Sequence, residues 1–161
     1  MTDIEIWKAS EARAWAETVR GAARKLRQRE AALEELTARY DGLKATSYDK
    51  AGSGGPGDDA MVATIAELDA MRERCAEATL AWRDEVSAFQ AALRRLDPVH
   101  DQLLTARYVR DLPWSDIARM MGRSESHVRG KLAYAALVEL HGAMPPQLRE
   151  VPKAVEDWGK Q

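Results

Sequence analysis

The chain has 161 residues, 45% hydrophobic and 31% charged, with a formal net charge of −2 at pH 7. That is ample for one domain plus an extension and too apolar for a disordered chain, while a pI near 6.0 excludes the strongly basic balance of an indiscriminate nucleic-acid binder. The single cysteine, Cys75, excludes an internal disulfide and a multi-cysteine zinc site; no stretch reaches the roughly 18 apolar residues of a membrane span, and MTDIEIWKAS lacks the features of a signal peptide, so a cytoplasmic protein is expected.

One phenylalanine and few β-branched runs argue against strands, and the fold expected is all-α. Residues 4–43 hold no proline, and Trp15, Val19, Ala22, Leu26, Leu33, Leu36, Tyr40 and Leu43 recur in alternating steps of four and three, with Arg29 the one polar step. This spacing predicts a long amphipathic helix with a heptad-like seam. Its charge is even, eight basic against eight acidic residues over 1–43, so the cluster Arg24, Lys25, Arg27 and Arg29 reads as a solvated face.

Residues 44–59, KATSYDKAGSGGPGDD, read as a flexible linker; no Gly-Lys-Ser/Thr follows the glycines, which removes a phosphate-binding loop. The seam then resumes with Met61, Ile65, Leu68, Cys75, Trp82, Val86, Phe89, Leu93 and Leu96, while Arg72 and Thr79 occupy its two polar steps. A helix of this length, about 54 Å at roughly 1.5 Å per residue, needs a partner for its apolar edge, most simply the first helix antiparallel to it. Residues 1–96 are thus expected to form a long helical hairpin, although pairing between two chains would bury the same seam. Segment 58–96 has five basic and eight acidic residues and should repel DNA.

Asp97 and Pro98 restart the chain as cap and first helical residue of a helix to about 110, with Val99, Leu103, Ala106 and Tyr108 facing inward and Arg107 and Arg110 pointing elsewhere. Pro113 begins the next helix, over 114–121, whose apolar stripe is Trp114, Ile117, Ala118 and Met121. Gly122 ends it by taking a positive φ, Ser124 caps the following helix, and Glu125 meets the dipole in its first turn. That helix, 125–141, is expected to bury Val128, Leu132, Ala135, Ala136 and Leu140. The result is a helix-turn-helix over 97–141, followed by a proline-spaced tail, 142–161, in which Trp158 suggests some docking.

Residues 96–128 resemble the last domain of bacterial sigma factors, which reads the −35 promoter element, through Leu96, Leu103, Leu104, Arg107, Tyr108, Leu112, Trp114, Ile117, Ala118, Gly122, Ser124 and Val128. The chain as a whole is similar to phage and prophage late-gene transcription regulators of the ArpU and RinA type, which join a helical front half to a sigma-like helix-turn-helix and often end in a segment like Ala143-Met144-Pro145. Two departures stand out. Gly130 occupies a place usually held by a longer polar residue, and the register after Arg129 runs one residue longer than the sigma pattern.

Glu125, Ser126, His127, Arg129, Gly130 and Lys131 form the outward face of the second helix, where a recognition helix meets the major groove. Arg129 is the candidate for a bidentate contact to guanine, with Ser126 and His127 at base edges or phosphate. Arg119, Arg123 and Lys131 are candidate phosphate contacts, Ser124 a cap first and a phosphate ligand second, and Gly130 a point of close backbone approach. Within 112–134 four basic residues face two acidic ones, which predicts weak nonspecific affinity and a need for a second subunit or RNA polymerase. No cofactor, metal or small-molecule substrate is expected, and no enzyme: His100, His127 and His141 are not at metal-ligand spacing and no nucleophile sits in a recognisable turn. Three readings stand: a sequence-specific transcription regulator binding double-stranded DNA, a small-terminase-like packaging component, and a helical protein–protein adaptor.

Overall fold

Local signals at each helix end account for where the elements begin and stop. The computed structural model describes residues 2–49 and 57–149. Thr2 and Glu5 open the first helix with a reciprocal cap: the Glu5 N–H donates to Thr2 Oγ1 at 3.2 Å and the Thr2 N–H to Glu5 Oε2 at 3.0 Å. Hydrogen bonds to the ionised form hold the Glu5 carboxyl below its ordinary range. Helix α1 then runs over Asp3–Asp49 and helix α2 over Gly57–Leu93. Helical backbone therefore enters both flanks of the expected linker 44–59, whose middle lies outside the described residues.

Arg29 lies over the Trp82 ring, Glu30 accepts from Arg83 at 3.1 Å, and Arg72 lies over Tyr40. From residues 29 and 30 to residue 40 along α1 the α2 partner falls from 82 and 83 to 72, which is an antiparallel hairpin. These contacts also explain the polar steps in the two seams. The Arg29 guanidinium sits 5.6 Å from the Trp82 ring centre and donates to Cys75 Sγ, while the Thr79 hydroxyl donates to the Cys75 carbonyl at 2.7 Å.

By compactness the chain divides into two units, one of Met1–Ala23 with Glu85–Gln161 and one of Arg24–Asp84. In the first, the start of α1 presents Ala9, Ala12, Trp15, Ala16, Val19, Ala22 and Ala23, all buried, and its small residues permit close helix packing. Trp15 meets Phe89 edge to face at 5.1 Å, and Phe89 meets Tyr108 at 6.4 Å, so aromatic rings join α1 and α2 to the helices that follow.

Helix α3 (Pro98–Leu104) begins as expected: Asp97 Oδ1 accepts from the Val99 N–H at 2.9 Å, with proline in the first helical position. It continues into a wide π-helical turn, Thr105–Val109. Leu103, Leu104, Ala106 and Tyr108 are buried, but Val99 is exposed; His100, one residue on, is half-buried and pairs with Glu139. Asp111 then takes a positive φ of 56°, a region that Asp tolerates better than most residues, and its carboxylate accepts from Arg20 Nε of α1 at 2.5 Å.

Helix α4 spans Trp114–Met121 behind Pro113 (φ −67°, ψ 154°) and ends at Gly122, whose φ of 64° and ψ of 34° are left-handed. The Arg123 N–H returns to the Ala118 carbonyl at 3.0 Å and closes the helix end. The next helix is continuous from 125 to 143 in three parts: α5 (Glu125–His127), a π-helical turn (Val128–Leu132) and α6 (Ala133–Ala143). The π turn corrects the expected stripe. After Val128 the next fully inward residue is five positions on, at Ala133, and the core receives Ala133, Ala136, Leu137 and Leu140 while Ala135 is exposed and Leu132 half-buried. One residue has been absorbed without a break in the helix.

Met144 is buried, and Arg149 folds back to donate to the carbonyls of Gly142 and Met144, satisfying the end of α6 around a short 3-10 turn, Pro146–Leu148. Just before this turn, His141 Nε2 pairs with Glu11 at 2.5 Å, and Trp7 packs edge-on to the imidazole at 5.0 Å. Trp158 and the rest of the tail beyond 149 lie outside the described residues.

Candidate nucleic-acid interface

The turn between α4 and α5 sets the position of every candidate contact. Gly122 reverses the chain, and the Ser124 hydroxyl accepts from the His127 N–H at 3.3 Å. That oxygen is thereby occupied as a cap. Glu125 and Ser126 follow in the first turn, with Arg129, Gly130 and Lys131 one turn later, all exposed. The helix therefore brings these five residues together on its solvent side, directly after a capped N-terminus.

The basic side chains differ in how free they are. Arg119 on α4 is 81% exposed and lies 3.8 Å from Asp116, a separation at which a solvated pair constrains little. Arg123 in the turn is 3.2 Å from Nε2 of the half-buried His127, so these two expected contacts are partners of one another. Arg129 and Lys131 have no hydrogen bond or ion pair among the described residues. A Cβ added at Gly130 would meet open space, so packing within the chain does not require glycine there.

A second feature adjoins this face. Arg129 shares its stripe of the helix with Ala133 and Leu137, and the three line a cleft of about 280 Å³ whose other walls carry Arg13 and Glu17 of α1, Arg107 and Tyr108 of the first π turn, and Trp114 of α4. The Arg107 guanidinium lies over the Trp114 ring, 4.7 Å from its centre, and Nη1 donates to the Leu112 carbonyl at 3.2 Å. Its Nε is buried without a partner among the described residues. Burial, with Arg20 nearby, disfavours the charged form and pushes the Arg107 pKa down. Burial likewise pushes the Tyr108 phenol up, against a hydrogen bond from Arg13.

Helical spacing points Arg107 away from the site, and nothing in the sequence singles out Arg13. The first faces the cleft because the π turn Thr105–Val109 rotates it beneath Trp114; the second is ninety-four residues away along the chain, and no local signal links it to Arg107. Among the described residues no group of three or more His, Cys, Asp or Glu could hold a metal, and no helix is long and apolar enough to cross a membrane.

This geometry agrees with a family comparison. The family described as sigma-70, region 4, matches residues 92–137. No curated protein and no solved structure matches the chain. The stretch 92–137 is accordingly a sigma-region-4-like helix-turn-helix, a domain of the DNA-binding kind, set in an all-α fold behind a long N-terminal helix.

Proposed function

We propose that the protein is a sequence-specific transcription regulator of the phage or prophage late-gene type, which places the helix beginning at Glu125 in the major groove of promoter DNA. The observation that carries this reading is the free, exposed pair Arg129 and Lys131 on a capped helix that follows the left-handed turn at Gly122. Ser126 and Gly130 stand at the outermost line of that helix, one turn apart, where Ser126 reaches base edges and the bare backbone at Gly130 admits close approach. Arg129 sits on the flank toward the cleft, which favours a phosphate at the groove edge over the guanine assigned to it from sequence alone. Lys131, Arg119 and Arg123 supply further phosphate contacts, with His127 oriented by Arg123 and Ser124 acting as cap.

So few neutralised phosphates make one subunit a weak binder, and the reading therefore includes help from a second chain, paired through the long helices, or from RNA polymerase. The test is selection of bound duplexes from a random library at moderate salt. A defined motif is expected, and its symmetry reports the number of subunits. Ser126→Ala should relax one position of that motif, by about 1–3 kcal/mol of discrimination. Failure of the wild type to enrich any motif would overturn the regulator and leave the adaptor; enrichment by ring-shaped oligomers would favour the packaging component.

A further inference from the structure

We infer that the cleft between α1, α4 and the recognition helix grips a backbone phosphate of the bound duplex, through Arg13, Arg107 and Arg129, so that the N-terminal helix is part of the DNA-binding surface. This rests on the DNA-binding reading above and adds a partner group and a residue that the helix-turn-helix by itself lacks. Three guanidiniums and one carboxylate, Glu17, line the cleft. The carboxylate lies 3.6 Å from Arg20 and is half exposed. Among the described residues Arg107 has a ring face, a backbone carbonyl and no ion pair, and its buried Nε has no acceptor.

A buried guanidinium N–H without an acceptor is costly, and an oxyanion at the cleft supplies the acceptor that Nε lacks. Planar, forked donors match phosphate oxygens, and a volume near 280 Å³ falls below the usual range for a whole small-molecule ligand yet admits a phosphate group. The source follows from Arg129. It belongs at once to the cleft and to the recognition helix, so a duplex lying against that helix brings its backbone to the cleft mouth, where Arg13 stands exposed on the opposite wall.

The test measures duplex affinity of the full chain as a function of salt for the wild type, Arg13→Ala, Glu17→Gln and Arg39→Ala, the last removing an exposed charge that does not line the cleft. Arg13→Ala should weaken binding about tenfold for every duplex sequence alike and lower the slope of log K against log salt by about one. Glu17→Gln should tighten binding, which loss of a merely structural contact would not do, and Arg39→Ala should leave the slope unchanged. If the wild type binds duplex while Arg13→Ala keeps its affinity and slope, the phosphate grip falls and the DNA-binding reading stands; if the wild type binds no duplex at low salt, both fall. A parallel titration with inorganic phosphate separates the sources: phosphate binding lost in Arg13→Ala with an unchanged DNA slope would assign the cleft to a free anion and overturn the backbone contact.

Discussion

The two compact units are built from the same kind of helix yet are held together differently. The largest fully buried side chains, Val19, Phe89, Leu93, Leu103, Leu104, Ile117, Val128, Leu137, Leu140 and Met144, all belong to the unit formed by 1–23 and 85–161. Among the described residues of the 24–84 unit the buried ones are Leu68, Cys75 and Thr79, and its inter-helix contacts include two guanidiniums over rings, Arg29 on Trp82 and Arg72 on Tyr40, and the ion pair of Arg83 with Glu30. Two helices side by side cover few side chains from all directions, whereas helices crossing in several directions enclose large ones completely. The difference teaches that the first unit owes its shape to interlocked volume and the second to half-wet contacts, each worth about 1 kcal/mol or less.

Removing volume should separate the units most sharply. Phe89→Ala opens a cavity between Trp15 and Tyr108 and should cost about 3–5 kcal/mol in urea denaturation, whereas Leu68→Ala, at a partly open seam, should cost about 2 kcal/mol. Equal losses would dissolve the contrast. Next in size, Gly122→Ala forces a Cβ into a left-handed backbone at φ 64° and should cost about 1–2 kcal/mol, with loss of duplex binding as the turn distorts. A double-mutant cycle of Arg29→Ala and Trp82→Ala should return a coupling of about 0.5–1 kcal/mol, and a value near zero would show the ring contact to be incidental. The smallest effect runs the other way: Gly130→Ala meets open space and should raise thermal stability by up to about 1 kcal/mol while weakening duplex binding, and an unchanged affinity would remove the close approach assigned to that backbone.

The ends of the helix-turn-helix are legible in the sequence because one residue at each end carries a local reason: proline at 113, glycine at 122, serine at 124. The buried stripe beyond Val128 is less so. Periodicity assumes 3.6 residues per turn, and the π turn spends one residue more, which moves Ala135 to solvent and brings Ala133 and Leu137 inward. The longer register after Arg129 was the one trace of it in the sequence. Polar steps in the seams were visible but unexplained, since nothing local tells that Arg29 will find Trp82 across the hairpin. The cleft was beyond reach for a related reason: its walls come from residues 13, 107, 114 and 129, and only the tertiary fold makes them neighbours.

The pairing of Glu11 with His141, with Trp7 against the imidazole, has a consequence for transplantation. A cassette cut at 92–137 would leave behind Trp15, Val19 and Phe89 before it and Leu140 and Met144 after it, all of them buried in this unit, Phe89 against Tyr108 of the cassette. Such a fragment would carry the helix-turn-helix without the side chains that close its core. A hybrid regulator made from this protein must instead inherit 1–23 together with 85–149, two pieces far apart in the chain that form one transferable part.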